Sequence, residues 1–511
     1  MARRTLGIDL NRVEGDLEFE VDLEDNRIVN ARCIGTLFRG FEQLLVDRAP
    51  RDSLVITPRV CGICGTAHLY TAVLALERIG QLAVPPQATL IRNLCLMAEN
   101  VQSDLRQTFL FFVPDFLNPR YAGHPLAAEV ARAFQPMKGS AVVGALGVTR
   151  KILQVVAIFG GQWPHSSYML PGGVTRGANE RDIVDCRELV ESTIAWVEDA
   201  VLGDRLEAFL DLDSLPALER WLAEPARAGL ALPLFCAFSR SIGLDRIGGG
   251  ARTFLSGGSY HDPEAWGPPY GDQKTLLAAG IFDADDGSLA PFDPDRVSEH
   301  VRHSWFRPYE GGRHPYQGET VPDYQPGTDR YTWAKAPRYG EQVVETGPLA
   351  ELLAAGDALC RDIVASLGPN TWLRQFARLR RAARVLLLMR EHVEALGRRI
   401  GEPHYLHPAA DTLSDGDGFG LVQAARGTLG HWVQIRDGRI ARYQIVTPTA
   451  WNASPRDSAG RHGHWEQSVI GLELADTEDP VELGHIVRSH DPCLVCTVHF
   501  AGSGKRIRYG V

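Results

Sequence analysis

Two Cys-x-x-Cys pairs constrain this chain more than any other feature. The first is Cys61/Cys64 in "TPRVCGICGTAH", the second Cys493/Cys496 in "DPCLVCTVHF", and residues 65–492 of the 511 lie between them. Cysteines three apart direct two sulfurs at one ion, and thiolates are soft ligands. A zinc ribbon holds its pairs ~15–20 residues apart. A site closed from both chain ends instead sits inside the whole fold. The first pair has company: Arg59 precedes Cys61 by two residues and His68 follows Cys64 by four. Positive charge favours thiolate, and a histidine donates a hydrogen bond to a coordinated sulfur.

The chain has 9 cysteines. Cys33, Cys95, Cys186, Cys236 and Cys360 stand alone and read as buried core thiols. The odd count, low density and lack of a signal peptide after "MARRTLGIDL" speak against a disulfide framework. The five lone cysteines also lack iron–sulfur cluster spacing. With 53 basic against 63 acidic residues, a formal charge of −10, a nucleic-acid surface is not expected. No uninterrupted apolar run reaches the ~18 residues that span a bilayer; the richest, "AVVGALGVTRKILQVVAIFGG", is broken by Thr149-Arg150-Lys151.

The organisation reads as one α-rich α+β body. Residues "DLEFEVDLEDNRIVNARCIG" predict a hairpin turning near Asp25-Asn26. Helical periodicity follows over Thr66 to about Phe116, ~126–159 and ~180–230, with Asn179 as a cap. From about 233 to 345, Gly, Pro, Tyr, Trp and His crowd into short strands and loops. Helices resume over ~346–400, and a loop-rich end carries a hairpin turning on Asp437-Gly438.

Arg-x-Cys-Gly-x-Cys-x-x-x-His and Asp-Pro-Cys-x-x-Cys-x-x-His resemble the two signatures of the large subunit of nickel–iron hydrogenases, uptake type. "LPGGV", "HPYQGETVP", "YTWAKAPRYGEQVVETGPLA" and "YQIVTPTAWNASPRD" resemble further stretches of that family in order. The resemblance implies the family's large-subunit fold, a central bundle of long helices with peripheral short strands and loops. It implies reversible heterolysis of dihydrogen, in the uptake direction, at a nickel–iron centre whose iron carries carbon monoxide and cyanide. Cys61 and Cys493 would be terminal nickel ligands, and Cys64 and Cys496 would bridge nickel to iron. Arg426, in "AARGTLGHW", matches an arginine held above the metals, although Ala425 stands where proline is common. Asp491 would hold Arg426, and Asp115 is a second candidate carboxylate near it. Glu14, in "NRVEGDLE", would relay protons, with Asp16 where the family usually has histidine. Glu42, His499 and the main-chain carbonyl of Ile445 resemble ligands of a magnesium-type ion.

The resemblance further implies an iron–sulfur small subunit, nickel-insertion chaperones and a maturation endopeptidase. Residues 1–499 would be the catalytic domain, and 500–511 an extension removed after metal insertion. No spanning segment of its own is expected. The protein would be cytoplasmic or membrane-associated through partners, and export on a partner's signal stays open. A dihydrogen sensor on the same scaffold is the alternative; sensors typically lack the extension. A metal-free quinone-binding relative and a zinc-stabilised interaction protein are the other rivals.

Overall fold

The computed structural model describes residues 3–13, 15, 17–264, 274–407 and 413–493. The chain starts as an antiparallel meander, β1 (Arg3–Leu10), β2 (Leu17–Glu24) and β3 (Arg27–Gly35). Phe19, Val21 and Leu23 face inward on β2 while Glu18 and Glu20 stay partly solvated, the period-2 pattern of a half-buried strand. The β2–β3 turn falls on Asp25-Asn26, with Asp25 at φ 55. This sheet buries Phe19 and Val21 against Trp465, Leu483 and Ile486 from the far end of the chain.

Long helices form the centre: α1 (Gly65–Gly80), α2 (Pro86–Arg106), α3 (Ser140–Ile152), α4 (Glu180–Trp196) and α5 (Thr371–Gly397). Helix α5 packs on α2 and α4, and α3 closes against both of those. Burying each Leu or Phe side chain of this bundle contributes about 1.5–3 kcal/mol. The helical run expected from Thr66 onward is cut between α1 and α2, because Pro86 opens a new helix and Pro85 is extended. Asn179 caps α4 in a reciprocal capping box with Asp182. Ser140–Gly160 is, among the described residues, the one helical stretch long and apolar enough to cross a membrane, and half of it is buried in the body.

The region 233–345 is short strands and loops, as its composition predicts, but opens with the end of a buried helix, Ala231–Ser241. The C-terminal region is more regular than expected. Strand β4 (Gly416–Ala424) joins β5 (Gly427–Arg436) and β6 (Arg439–Val446) in an antiparallel sheet. The β5–β6 hairpin turns on Asp437-Gly438, both at positive φ, the signature of a type I′ turn. Strand β4 lies directly on α1: a Cβ at Gly420 would come 2.1 Å from the carbonyl of Thr71. Glycine there permits the close approach. The last described element is α6 (Val481–Ser489), which leads into Asp491 and Cys493.

Candidate metal centre

The fold brings the two chain ends together. Cys61 and Cys64 occupy the short turn between a 3-10 turn (Thr57–Arg59) and α1, with Cys64 at the N-cap. The helix dipole at that start favours a thiolate. Cys61 Sγ accepts the N–H of Ile63 at 3.3 Å and of Cys64 at 3.4 Å. Cys493 arrives from the end of α6, its N–H donating to Thr449 Oγ1 at 3.3 Å. The sulfurs of Cys61 and Cys493 lie 3.6 Å apart, and Cys64 joins them within 4.8 Å. All three are buried. A disulfide needs ~2.05 Å; this spacing suits sulfurs sharing a soft cation. Cys496, the fourth cysteine of the motif, lies outside the described residues.

Arg426 sits at the tip of the β4–β5 hairpin, between the paired residues Ala424 and Gly427. Gly427 adopts φ 130, and a Cβ there would meet Thr346 Oγ1 at 2.6 Å. The departure at Ala425 is accommodated: its carbonyl accepts Arg381 Nη2 at 2.7 Å, which pins the turn. Arg426 Nη2 pairs with Asp491 Oδ1 at 3.1 Å and its Nε donates to the Asp491 carbonyl at 3.2 Å. Nη1 is buried and has no hydrogen-bond partner among the described residues. Burial opposes the charge on Arg426, yet Asp491 and the nearby sulfurs of Cys493, Cys61 and Cys64 outweigh it and raise its pKa well above the ordinary value. The result is a fixed cation beside the three sulfurs.

Asp491 is shared. Arg378 Nη1 lies 3.2 Å from Asp491 Oδ2 and 3.3 Å from Asp104 Oδ1. Arg381 then holds Asp104 at 2.6 Å and Glu351 at 2.9 Å. All of these side chains are buried. Each charge is compensated, which is the condition for burying ions at all. Asp104, Arg378 and Arg381 escape the motif reading because "RQFARLRRAARV" in α5 looks like a solvated basic face.

Asp115 is not beside Arg426. Its Oδ2 pairs with Arg488 Nη1 at 2.6 Å and its Oδ1 with Arg12 Nη2. Burial alone would raise its pKa, but the two guanidinium groups prevail and lower it. The carboxylates of the Arg426 lattice are Asp491 directly and Asp104 through Arg378. His68 shares Nδ1 with His431 Nε2 at 3.1 Å, and His431 reaches Tyr443 at 2.8 Å. Burial lowers the His68 pKa to about 4, against the pull of Cys61, so the ring is neutral.

Glu42 Oε1 accepts the N–H of Ile445 at 2.8 Å, so the contact seen at Ile445 is its amide. Lys335 Nζ lies 3.5 Å from Glu42 Oε2, 3.4 Å from Glu299 Oε2 and 2.5 Å from Gln444 Oε1. Oxygen donors of this kind suit a hard cation. His499 and Glu14 lie outside the described residues.

Two further groups surface only in the structure. Glu99 of α2 accepts the N–H groups of Thr66 and Ala67 at 3.0 and 3.1 Å, capping the start of α1 just beyond Cys64. Burial pushes its pKa up to about 7 despite those donors. Glu345, His464 and His490 also bring ligand-type atoms within 4.8 Å of one another. There, His464 Nδ1 accepts the N–H of Ala251 at 3.0 Å, so the neutral ring carries its proton on Nε2, 3.3 Å from Glu345. Arg374 holds the Glu345 carboxylate at 2.8 and 2.9 Å. That is a supported ion pair.

The fold and the sulfur cluster under a buried arginine define a thiolate metalloprotein that acts within its core. A family model described as nickel-dependent hydrogenase matches residues 39–122 and 236–499. The periplasmic [NiFeSe] hydrogenase large subunit of Desulfomicrobium baculatum is 31% identical, covering 96% of this chain and 93% of the other. The uptake hydrogenase large subunit of Rhodobacter capsulatus is 27% identical over 96% and 94%. The structure of a reduced, active form of the Ni-Fe-Se hydrogenase from Desulfomicrobium baculatum superposes with a TM-score of 0.81 at 28% identity, covering 98% of this chain and 100% of the other. The chain belongs to the nickel-dependent hydrogenase family and is a catalytic large subunit acting on dihydrogen. It carries the family's large-subunit fold and cysteine at all four motif positions.

Proposed function

We propose that the protein oxidises dihydrogen, with Cys61, Cys64, Cys493 and Cys496 holding nickel and iron, and passes electrons to an iron–sulfur small subunit. The observation that carries this reading is the convergence of Cys61 and Cys493 at 3.6 Å, with Arg426 ion-paired to Asp491 close by. The donor set fits the metals: buried sulfurs suit nickel and iron, and a helix start and a guanidinium offset their charge. When bound, the centre, with carbon monoxide and cyanide on its iron, supplies the polarisation that splits dihydrogen.

The chain's own groups then divide the work. Arg426 is held cationic by Asp491 and the thiolates, so it serves as a fixed positive charge whose Nη1 has no partner among the described residues. The better base for the proton is a terminal thiolate, Sγ of Cys61 or Cys493. Arg378, anchored by Asp104, steadies Asp491 and through it Arg426. Glu14 carries the proton onward. Glu42, with His499, would hold a magnesium-type ion, beside the Lys335 ammonium that already offsets Glu42 and Glu299. The uptake direction is supported by the Rhodobacter relative, and a periplasmic site of action by the Desulfomicrobium one. Residues 500–511 are the segment that an endopeptidase removes after nickel insertion; a mature protein whose mass retains them would contradict this.

The test is dihydrogen-dependent dye reduction by the purified heterodimer. Arg426→Lys is expected to lower turnover by about 10²–10³-fold with nickel content unchanged. Unaltered turnover removes Arg426 from the mechanism.

A further inference from the structure

Asp115 sits where two distant parts of the chain meet. One is the end of β1 and the residues after it, Asn11 to Val13. The other is the end of α6, which runs into Asp491 and Cys493. Its carboxylate takes one guanidinium from each side, Arg12 on Oδ1 and Arg488 on Oδ2. Both guanidinium groups make further bonds that tighten the junction. Arg12 Nη1 donates to the Phe111 carbonyl at 3.0 Å. Arg488 donates through Nε to the Asn11 carbonyl at 3.1 Å and through Nη2 to Asn11 Oδ1 at 2.6 Å. The main chain of Arg488 is equally committed: its carbonyl accepts Gln107 Nε2 at 2.6 Å and the N–H of Asp491 at 3.1 Å.

Arg12 adopts φ 55, a left-handed conformation that a non-glycine residue holds only when its surroundings over-determine it. The ion pair and the Phe111 bond supply that determination. One buried carboxylate therefore fixes the residue two before Glu14 and, through Arg488, the turn that presents Asp491 and Cys493.

We propose that Asp115 is a positioning residue of the proton path, a bridge that sets the segment running into Glu14 in register with the turn that carries Asp491 and Cys493. The proposal rests on the reading of Glu14 as the proton relay. It gives Asp115 a role through Arg12 and Arg488, with no contact to reacting atoms.

The experiment is a double-mutant cycle on the purified heterodimer with Asp115→Asn, Glu14→Gln and the pair. Asp115→Asn is expected to slow dihydrogen oxidation on the order of 10- to 100-fold. Metal content and infrared signature stay as in the wild type, and the solvent isotope effect on turnover moves to that of Glu14→Gln. In the Glu14→Gln background it adds no further loss. Asp115→Glu, which keeps the charge, restores part of the rate. Should Asp115→Asn fail to fold, Arg12→Gln removes the partly exposed arm of the bridge and is expected to show the same dependence on Glu14. Losses that multiply in the pair overturn the bridge while leaving Glu14 in place. A Glu14→Gln enzyme at wild-type rate overturns the relay reading, and this proposal with it.

Discussion

The two arms of the metal centre are held in different ways. The first arm is organised by its own backbone: Cys61 Sγ takes N–H groups from residues two and three ahead, and α1 begins at once. The second arm is organised by side chains from elsewhere. Asp491, at φ 57, is gripped by Arg426 from a hairpin and Arg378 from α5, and Cys493 leans on Thr449. A local turn forms whenever its helix does. An arm held by buried ion pairs closes only when the rest of the core is in place. That contrast fits the proposed order of events, in which the second arm closes last, after metal insertion.

The largest break in the comparison is expected from Asp491→Ala. It strips two buried guanidinium groups of a shared counter-charge, a loss of about 3–5 kcal/mol, read as a lower denaturation midpoint and poor nickel retention. A stability change under about 1 kcal/mol would mean that the second arm does not depend on its ion pairs.

Glu99→Gln sharpens the first arm and carries a definite pH sign. The folded-state pKa of Glu99 is raised to about 7 from 4.5. Its contribution is therefore fully present below 4.5 and lost as pH rises through about 7. At pH 8 the buried carboxylate works against the fold by up to about 3 kcal/mol, so glutamine should stabilise the protein there and leave it nearly unchanged at pH 4. Equal effects at both pH values would remove the raised acid from the account.

Thr449→Val leaves the buried Cys493 N–H without its acceptor and is expected to cost about 1–2 kcal/mol in unfolding free energy. Gly65→Ala, at the start of α1, brings a Cβ 3.1 Å from the Pro58 carbonyl. It is expected to shift stability by less than about 1 kcal/mol, because a few tenths of an ångström suffices. A larger effect than that of Thr449→Val would reverse the assignment of which arm is locally sound.

Features with local causes were legible in the sequence. The Asp25-Asn26 and Asp437-Gly438 turns and the Asn179 cap depend on a few neighbouring residues. Cys61, Cys64, Cys493, Arg426 and Asp491 were visible as motifs, and the fold draws these five together. The features that were not legible are long-range compensations. Asp104 and Arg381 are 277 positions apart, and the buried arginines of α5, Arg374, Arg378, Arg380 and Arg381, look solvated until their acids are found. Asp115 read as a partner for Arg426 because proximity to a motif says nothing of which arginine arrives. Strand β4 was hidden because Gly416, Gly418 and Gly420, needed for contact with α1, read as loop.

The central claim is that sulfurs drawn from both chain ends hold nickel and iron. Elemental analysis with infrared spectroscopy of the purified heterodimer tests it most directly. Equimolar nickel and iron, with bands from metal-bound carbon monoxide and cyanide, is the predicted result; zinc alone would contradict it.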